Sequence, residues 1–179
     1  MAERDAYEPF PNLSHRNFLQ ESIEVPIFVR ALGLHRGARV LEVGCGRGVA
    51  LPVISRMLQP TLLVGLDIEH LFLREAEARC GDRVDILACA DLRAMPFPDS
   101  SFDVVIDFGT CYHVGHPRRA ITEITRVLAH EGVFATETRF SQLLAHPIRT
   151  RGRRLPLRAS HALRRRRHAG LWATYMKLG

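Results

Sequence analysis

The segment VLEVGCGRG, Val40 to Gly48, constrains this chain more than any other. An apolar run carrying one carboxylate, Glu42, passes directly into three glycines at alternate positions, Gly44, Gly46 and Gly48. Val40, Leu41 and Val43 read as a strand covered on both faces, and a carboxylate inside such a strand is costly unless it meets a donor or a cation. The glycines can take dihedrals closed to other residues and let a ligand approach the backbone, while a helix starting behind them offers unpaired N–H groups. The segment therefore predicts a strand, a tight loop and a helix start around a small-molecule cofactor. The bland alternative is a surface Glu on an edge strand.

Apolar runs that close on an acid recur further along: LLVGLD ends at Asp67, VDILACAD at Asp91, and FDVVIDFG reaches Asp107. Helix-length stretches separate them, so the pattern predicts βαβ units in an α/β, Rossmann-like, doubly wound and mostly parallel sheet within a single domain. Ligands of such sheets bind at the C-terminal ends of the strands. A crevice holding Glu42, Asp67, Asp91 and Asp107 suits a cationic ligand with ribose hydroxyls better than a pyrophosphate. The glycine spacing agrees. The nicotinamide fingerprint G-x-G-x-x-G would need glycine at position 49, where this chain has Val49. Asp67 lies about where that fingerprint places its ribose-binding acid, so a dehydrogenase stands as the alternative.

The remaining pattern sets the organisation. Asn12 to Gln20 reads as an irregular or helical lid, and Glu21 to Leu34 as a helix with Ile23, Ile27, Ala31 and Leu34 on one face, allowing for a break at Pro26. The sheet is expected to start at Arg39. Helices are expected over 49–58, 70–80 and 117–128, and strands over 62–66, 84–88, 102–106 and 133–137. MPFPDSS, Met95 to Ser101, is turn chemistry. Three segments follow: a lid over 1–35, a core over 36–138, and a basic segment with an edge strand over 139–179.

Several chemistries are disfavoured. Cys45, Cys80, Cys89 and Cys111 lack any C-x-x-C spacing, and His113 with His116 supplies too few ligands for a metal site. Asp103 and Asp107 are separated by roughly 13 Å along one strand and cannot form a catalytic carboxylate pair. No run reaches the ~18 apolar residues of a membrane span, and the charged start is no signal peptide, so a cytoplasmic location is expected. Charge is divided unevenly: residues 139–179 hold 11 of the 25 Lys and Arg and none of the 19 acids. The arginines between Arg149 and Arg167 suit nucleic-acid phosphates, an acidic membrane surface or an anionic substrate, with a plain solvated tail as the alternative.

Together these residues resemble the class I S-adenosylmethionine-dependent methyltransferases, in particular the small-molecule branch similar to ubiquinone, menaquinone and sterol methyltransferases. The resemblance runs from about Arg36 to Thr138. VLEVGCGRG is similar to the family's first motif, implying that Glu42, Gly44, Cys45 and Gly46 line the methionine portion of S-adenosylmethionine. Asp67 matches the acid that grips the ribose, with Ile68 beside the adenine, and Asp91 with Leu92 matches the pair at the adenine edge. FDVVIDFGTCYHV resembles the fourth motif, implying that Asp107 stands near the cofactor. ITEITRVLAHEGVFATE resembles the helix and fifth strand, with Ala129-His130-Glu131-Gly132 in place of the usual proline-containing turn. The family then continues with a helix and two strands; LWATYM resembles the last of these and Leu155 to Ala159 is the expected sixth, so an abbreviated C-terminal edge is expected.

The resemblance implies methyl transfer to a small-molecule acceptor by in-line displacement, in which the protein mainly aligns the nucleophile and excludes water. Tyr112, His113 and Asp107 follow or end the fourth strand and are the catalytic candidates, His113 having the pKa range of a general base. A packing histidine and a strand-end cap are the plain readings of His113 and Asp107. Two other functions are carried alongside: an RNA methyltransferase using the basic tail, and a non-catalytic cofactor-binding or interaction protein.

Overall fold

In the computed structural model, which describes residues 17–145, 155–157 and 162–178, seven strands form one sheet in the order β3-β2-β1-β4-β5-β7-β6. The strands are β1 (Arg39–Val43), β2 (Leu62–Asp67), β3 (Ile86–Cys89), β4 (Phe102–Asp107), β5 (Leu128–Glu137), β6 (Leu163–Ala169) and β7 (Trp172–Lys177). β1 to β5 pair in parallel, and β7 runs antiparallel to both β5 and β6. The helices are α1 (Val25–Leu32), α2 (Leu51–Leu58), α3 (His70–Cys80), α4 (Pro117–Val127) and α5 (Arg139–Ala145). Strand order reverses between β1 and β4, which opens a crevice at their C-terminal ends.

Alternation along the strands divides the core between the two faces of the sheet. Val40 points into the layer with α1 and α2, whereas Leu41 and Val43 point into the layer with Ala120, Ile121 and Ile124 of α4. At the opposite end from the crevice, Asp103 takes the backbone N–H of Arg39 at 2.9 Å and its guanidinium at 2.8 Å, tying the starts of β1 and β4 together.

The N-terminal helix is centred on a neighbouring face: of the four residues expected on one side, Ala31 and Leu34 pack against the core while Ile23 and Ile27 do not enter it. A π-helical turn, Gln20–Glu24, leads into α1, where Val25, Phe28, Val29 and Leu32 are buried while Ile23 and Ile27 stay 49% and 45% exposed. Both stripes are apolar at helical spacing, so periodicity alone cannot choose between them. Bulk chooses: Phe28 packs its ring 4.7 Å from Phe108 and 6.0 Å from Trp172, joining α1 to β4 and β7. Pro26 does not break the helical run: it comes directly after the π-helical turn, whose last bond runs from the N–H of Val25 to the carbonyl of Gln20.

The C-terminal edge also differs. Leu155 to Leu157 contribute no strand, and the rest of the expected sixth strand lies outside the described residues. The sixth strand is instead the arginine run, Leu163–Ala169, joined to β7 by Gly170 and Leu171. Four consecutive arginines fit an edge strand because pairing with β7 uses only the main chain while the guanidinium groups stay in water. The edge is short in length and complete in strands. Arg167 reaches back to the carbonyl of Ala31 at 3.2 Å.

The aromatic contact separates the two helical stripes by experiment. Phe28→Ala should lower the unfolding free energy by about 3–5 kcal/mol, and Ile27→Ala by less than about 0.5 kcal/mol, in urea titration. Equal losses would mean that the outer stripe is also packed.

Candidate active site

Five carboxylates stand in a row at the C-terminal ends of the parallel strands: Asp91 just beyond β3, Asp67 ending β2, Glu42 near the end of β1, Asp107 ending β4 and Glu137 ending β5. Neighbouring strands are about 4.8 Å apart, so the row concentrates negative charge. Among the described residues, an ion pair reaches one of the five: Arg93 holds Asp91 at 2.7 Å and keeps its carboxyl below the usual range. The others rely on neutral donors or on none.

Asp67 accepts the N–H of Gly46 at 2.8 Å and that of Glu69 at 2.9 Å, one on each oxygen. Burial raises its pKa, and these donors oppose the rise. Asp107 is fully buried; Thr136 Oγ1 donates to one oxygen at 2.9 Å and the N–H of Cys111 to the other at 3.2 Å. Burial pushes Asp107 up to about 6. Glu42 is the extreme case. Its Oε2 is buried without a hydrogen-bond partner, and burial, reinforced by Asp67 and Asp107, pushes its pKa up to about 8.

The glycine loop is shaped by these acids. Cys45 N–H donates to the carbonyl of Leu66 at 3.0 Å, Gly46 N–H to Asp67, and Gly48 N–H to the carbonyl of Cys45 at 2.9 Å. Three amides are thus spent inside the protein, which removes much of what a pyrophosphate would need. A Cβ at Gly44 would stand 2.0 Å from Thr110 Oγ1, so glycine there lets the turn after β4 close on the loop. Gly46 has φ 51° and open space where a Cβ would be, leaving one side of the loop accessible. Cys45 is buried, and burial holds it as a thiol.

Other expected site residues divide between the mouth and the interior. Ile68, beside Asp67, is 58% exposed, and Leu71 close by is also exposed, forming an apolar shelf at the end of β2. Leu92 is buried in the core, and the Asp91 carboxylate is turned to Arg93, which takes its two oxygens and donates its backbone N–H at 2.7 Å. After β4, the 3₁₀ turn Thr110–Tyr112 buries Tyr112, whose phenol burial holds protonated, and leaves His113 half-buried with Nε2 3.0 Å from Gln142 Oε1. Asp107 is enclosed behind this turn and accepts the N–H of Cys111 from it.

Thr110, Thr136, Glu137 and Gln142 also belong to the arrangement and are absent from the sequence-based set. Glu137 carried a readable signal, since it ends an apolar strand as Asp67 and Asp107 do. Gln142 carried none.

The methyltransferase domain family matches this chain over residues 41–136. A Mycolicibacterium smegmatis protein named "Probable S-adenosylmethionine-dependent methyltransferase" is 33% identical over 128 residues, covering 72% of this chain and 48% of that one. The phosphatidylethanolamine N-methyltransferase of Cereibacter sphaeroides is 33% identical over 111 residues, covering 60% and 53%. The chain therefore spans about half the length of these curated relatives. The crystal structure of a SAM-dependent methyltransferase from Aquifex aeolicus superposes with a TM-score of 0.69 at 16% identity, over 90% of this chain and 93% of that one, and shares the fold. A seven-stranded sheet with its last strand reversed, a glycine loop flanked by strand-end acids and these matches lead to one conclusion: the chain belongs to the class I S-adenosylmethionine-dependent methyltransferase family.

Proposed function

We propose that this protein binds S-adenosylmethionine at the ends of β2, β1 and β4 and transfers its methyl group to a small-molecule acceptor. The observation that carries the reading is the buried, unpartnered oxygen of Glu42 on the strand that runs into the glycine loop, a position that calls for a cationic ligand group. S-adenosylmethionine has an ammonium and a sulfonium, and when bound it supplies an electrophilic methyl for in-line displacement. Glu42, Gly44, Cys45 and Gly46 surround its methionine portion. Asp67 uses one lone pair on each oxygen for Gly46 and Glu69, and its remaining lone pairs accept from the ribose hydroxyls. Ile68 supplies an apolar face to the adenine. The Leu92 backbone meets the adenine edge, with Asp91 contributing only what Arg93 leaves free.

His113 follows β4 beside the crevice and takes the role of general base, with Tyr112 shaping the wall behind it and Asp107 fixing their turn. A small-molecule acceptor is favoured by relatives named for phosphatidylethanolamine and for phthiotriol dimycocerosates. No helix among the described residues is long and apolar enough to cross a membrane, and a cytoplasmic location remains part of the proposal. An RNA acceptor would draw on Arg164 to Arg167, but β6 stands three strands from β4, roughly 14 Å away.

Three measurements test this reading. Calorimetry should register S-adenosylmethionine binding that Asp67→Ala weakens by about 1.5–3 kcal/mol, the scale of charge-assisted hydrogen bonds; undiminished affinity would sink the ribose assignment. Labelled methyl should appear in phosphatidylethanolamine vesicles or small-molecule extracts and not in bulk tRNA, with His113→Ala lowering turnover by about 10²-fold or more at nearly unchanged cofactor affinity. Label in tRNA would favour the RNA reading, and binding without any turnover the non-catalytic one.

Glu42 gives a pH-linked prediction. Its folded pKa of about 8 exceeds its ordinary 4.5, so the folded protein holds a proton that the unfolded chain loses. Stability of the free protein should accordingly fall as pH rises from about 4.5 to about 8, and Glu42→Gln should gain on wild type across that window. A cationic ligand reverses the shift, so binding near pH 7 should release about one proton, read from calorimetry in buffers of different ionisation enthalpy, and Glu42→Gln should release none. Equal proton release in both proteins would assign the titration to another group.

A further inference from the structure

We propose that Gln142 and Glu137 are positioning residues that hold His113 with its proton on Nε2, making Nδ1 the ring atom that accepts a proton during turnover. The chemical role rests on the reading of His113 above, whereas the tautomer stands or falls by itself.

Ser141 Oγ donates to Glu137 Oε2 at 3.0 Å, and Gln142 Nε2 donates to the same oxygen. A carboxylate only accepts, so the amide of Gln142 must turn its NH₂ to Glu137. Its carbonyl oxygen then faces His113, 3.0 Å from Nε2. Because a carbonyl oxygen cannot donate, the histidine nitrogen must carry the hydrogen, and in neutral imidazole the basic lone pair lies on Nδ1. Glu137 and Gln142 are 6% and 3% exposed, so water competes poorly and the wrong tautomer would leave two acceptors facing each other.

The backbone is built around this chain of donors. Gly109 follows β4 with φ +95°, and a Cβ there would stand 2.2 Å from Gln142 Nε2. Glycine at this position is what admits the amide between the two groups. Gln142 is carried into place by α5, whose first turn is fixed by Gln142 N–H to the carbonyl of Thr138 at 3.1 Å and by Thr138 N–H to the carbonyl of Leu171 at 2.7 Å. The relay therefore joins the turn after β4, the end of β5 and the β6–β7 turn. As an O–H or N–H nucleophile gives up its proton, that proton goes to Nδ1, and the resulting imidazolium keeps its Nε2–H on Gln142.

Long-range proton–nitrogen correlation on ¹⁵N-labelled protein, at alkaline pH where imidazole is neutral, reads the tautomer directly. Wild type should have Nε2–H in about tenfold or greater excess over Nδ1–H. Gln142→Leu removes this acceptor and should lower the excess of Nε2–H by about threefold or more. Glu137→Gln keeps size and hydrogen bonding but lets the Gln142 amide turn over, and should do the same if Gln142→Leu fails to fold. Wild type with Nδ1–H dominant, or an unchanged excess of Nε2–H in whichever variant folds, overturns the relay. S-adenosylmethionine titration of the same samples separates the two ideas: lost binding in wild type defeats the proposed function, whereas intact binding with the wrong tautomer defeats only the relay.

Discussion

The crowding of carboxylates at one end of a parallel sheet is the constraint from which the rest of this structure follows. Parallel strands put their C-terminal ends on one side, and five of them bring an acid there. Like charges a few ångströms apart in a dry setting each raise the cost of ionising the next. The protein answers differently along the row. Asp91, at the open end, has an arginine; Asp67 and Asp107 have backbone and hydroxyl donors; Glu137 has a serine and an amide; Glu42, in the middle, has an oxygen left over. The unsatisfied member also lies on the strand that leads into the glycine loop.

The donors that quiet these acids also link the two halves of the crevice. Asp67 pulls in the glycine loop through Gly46, and the absent side chain of Gly44 lets Thr110 close against that loop. Thr110 begins the turn that Asp107 holds through Cys111, and the same turn delivers His113 to Gln142. The glycine loop and the His113–Gln142 contact therefore share one short segment after β4. Close packing and hydrogen bonds, rather than a long loop, join the two halves.

The basic C-terminal hairpin solves a different problem. The outermost strand of an open sheet exposes unpaired main-chain groups, and charged side chains on it discourage further pairing. Arg164 to Arg167 occupy that strand, and Arg167 also reaches the carbonyl of Ala31 at the end of α1. Trp172, at the start of β7, meets Phe28 of the same helix. The hairpin thus closes the sheet and buttresses α1, while its remaining charge faces solvent, three strands from the end of β4.

Much of this is legible in the sequence. The strand, glycine loop and strand-end acids of 40–109 follow from local pattern, because a buried strand needs a continuous apolar run and a tight loop needs glycine. α3 from His70 to Cys80 falls where its pattern puts it. What the sequence left undetermined depends on neighbours distant in the chain. Two apolar stripes on the N-terminal helix were equivalent until Phe108 and Trp172 met Phe28. The arginine run carried no strand signal, since its extended form comes from hydrogen bonding to β7 rather than from its side chains. Asp91, readable as a free strand-end acid, is turned aside by Arg93, and Gln142 enters the site only because Gly109 makes room and β5 delivers Glu137 beside it. Sequence by itself determined which strands carry acids and where the backbone must turn, because those depend on covalent geometry and local burial. Tertiary structure alone decided which acids are satisfied and which is left wanting, because donors come from segments that only the folded sheet brings within hydrogen-bonding distance.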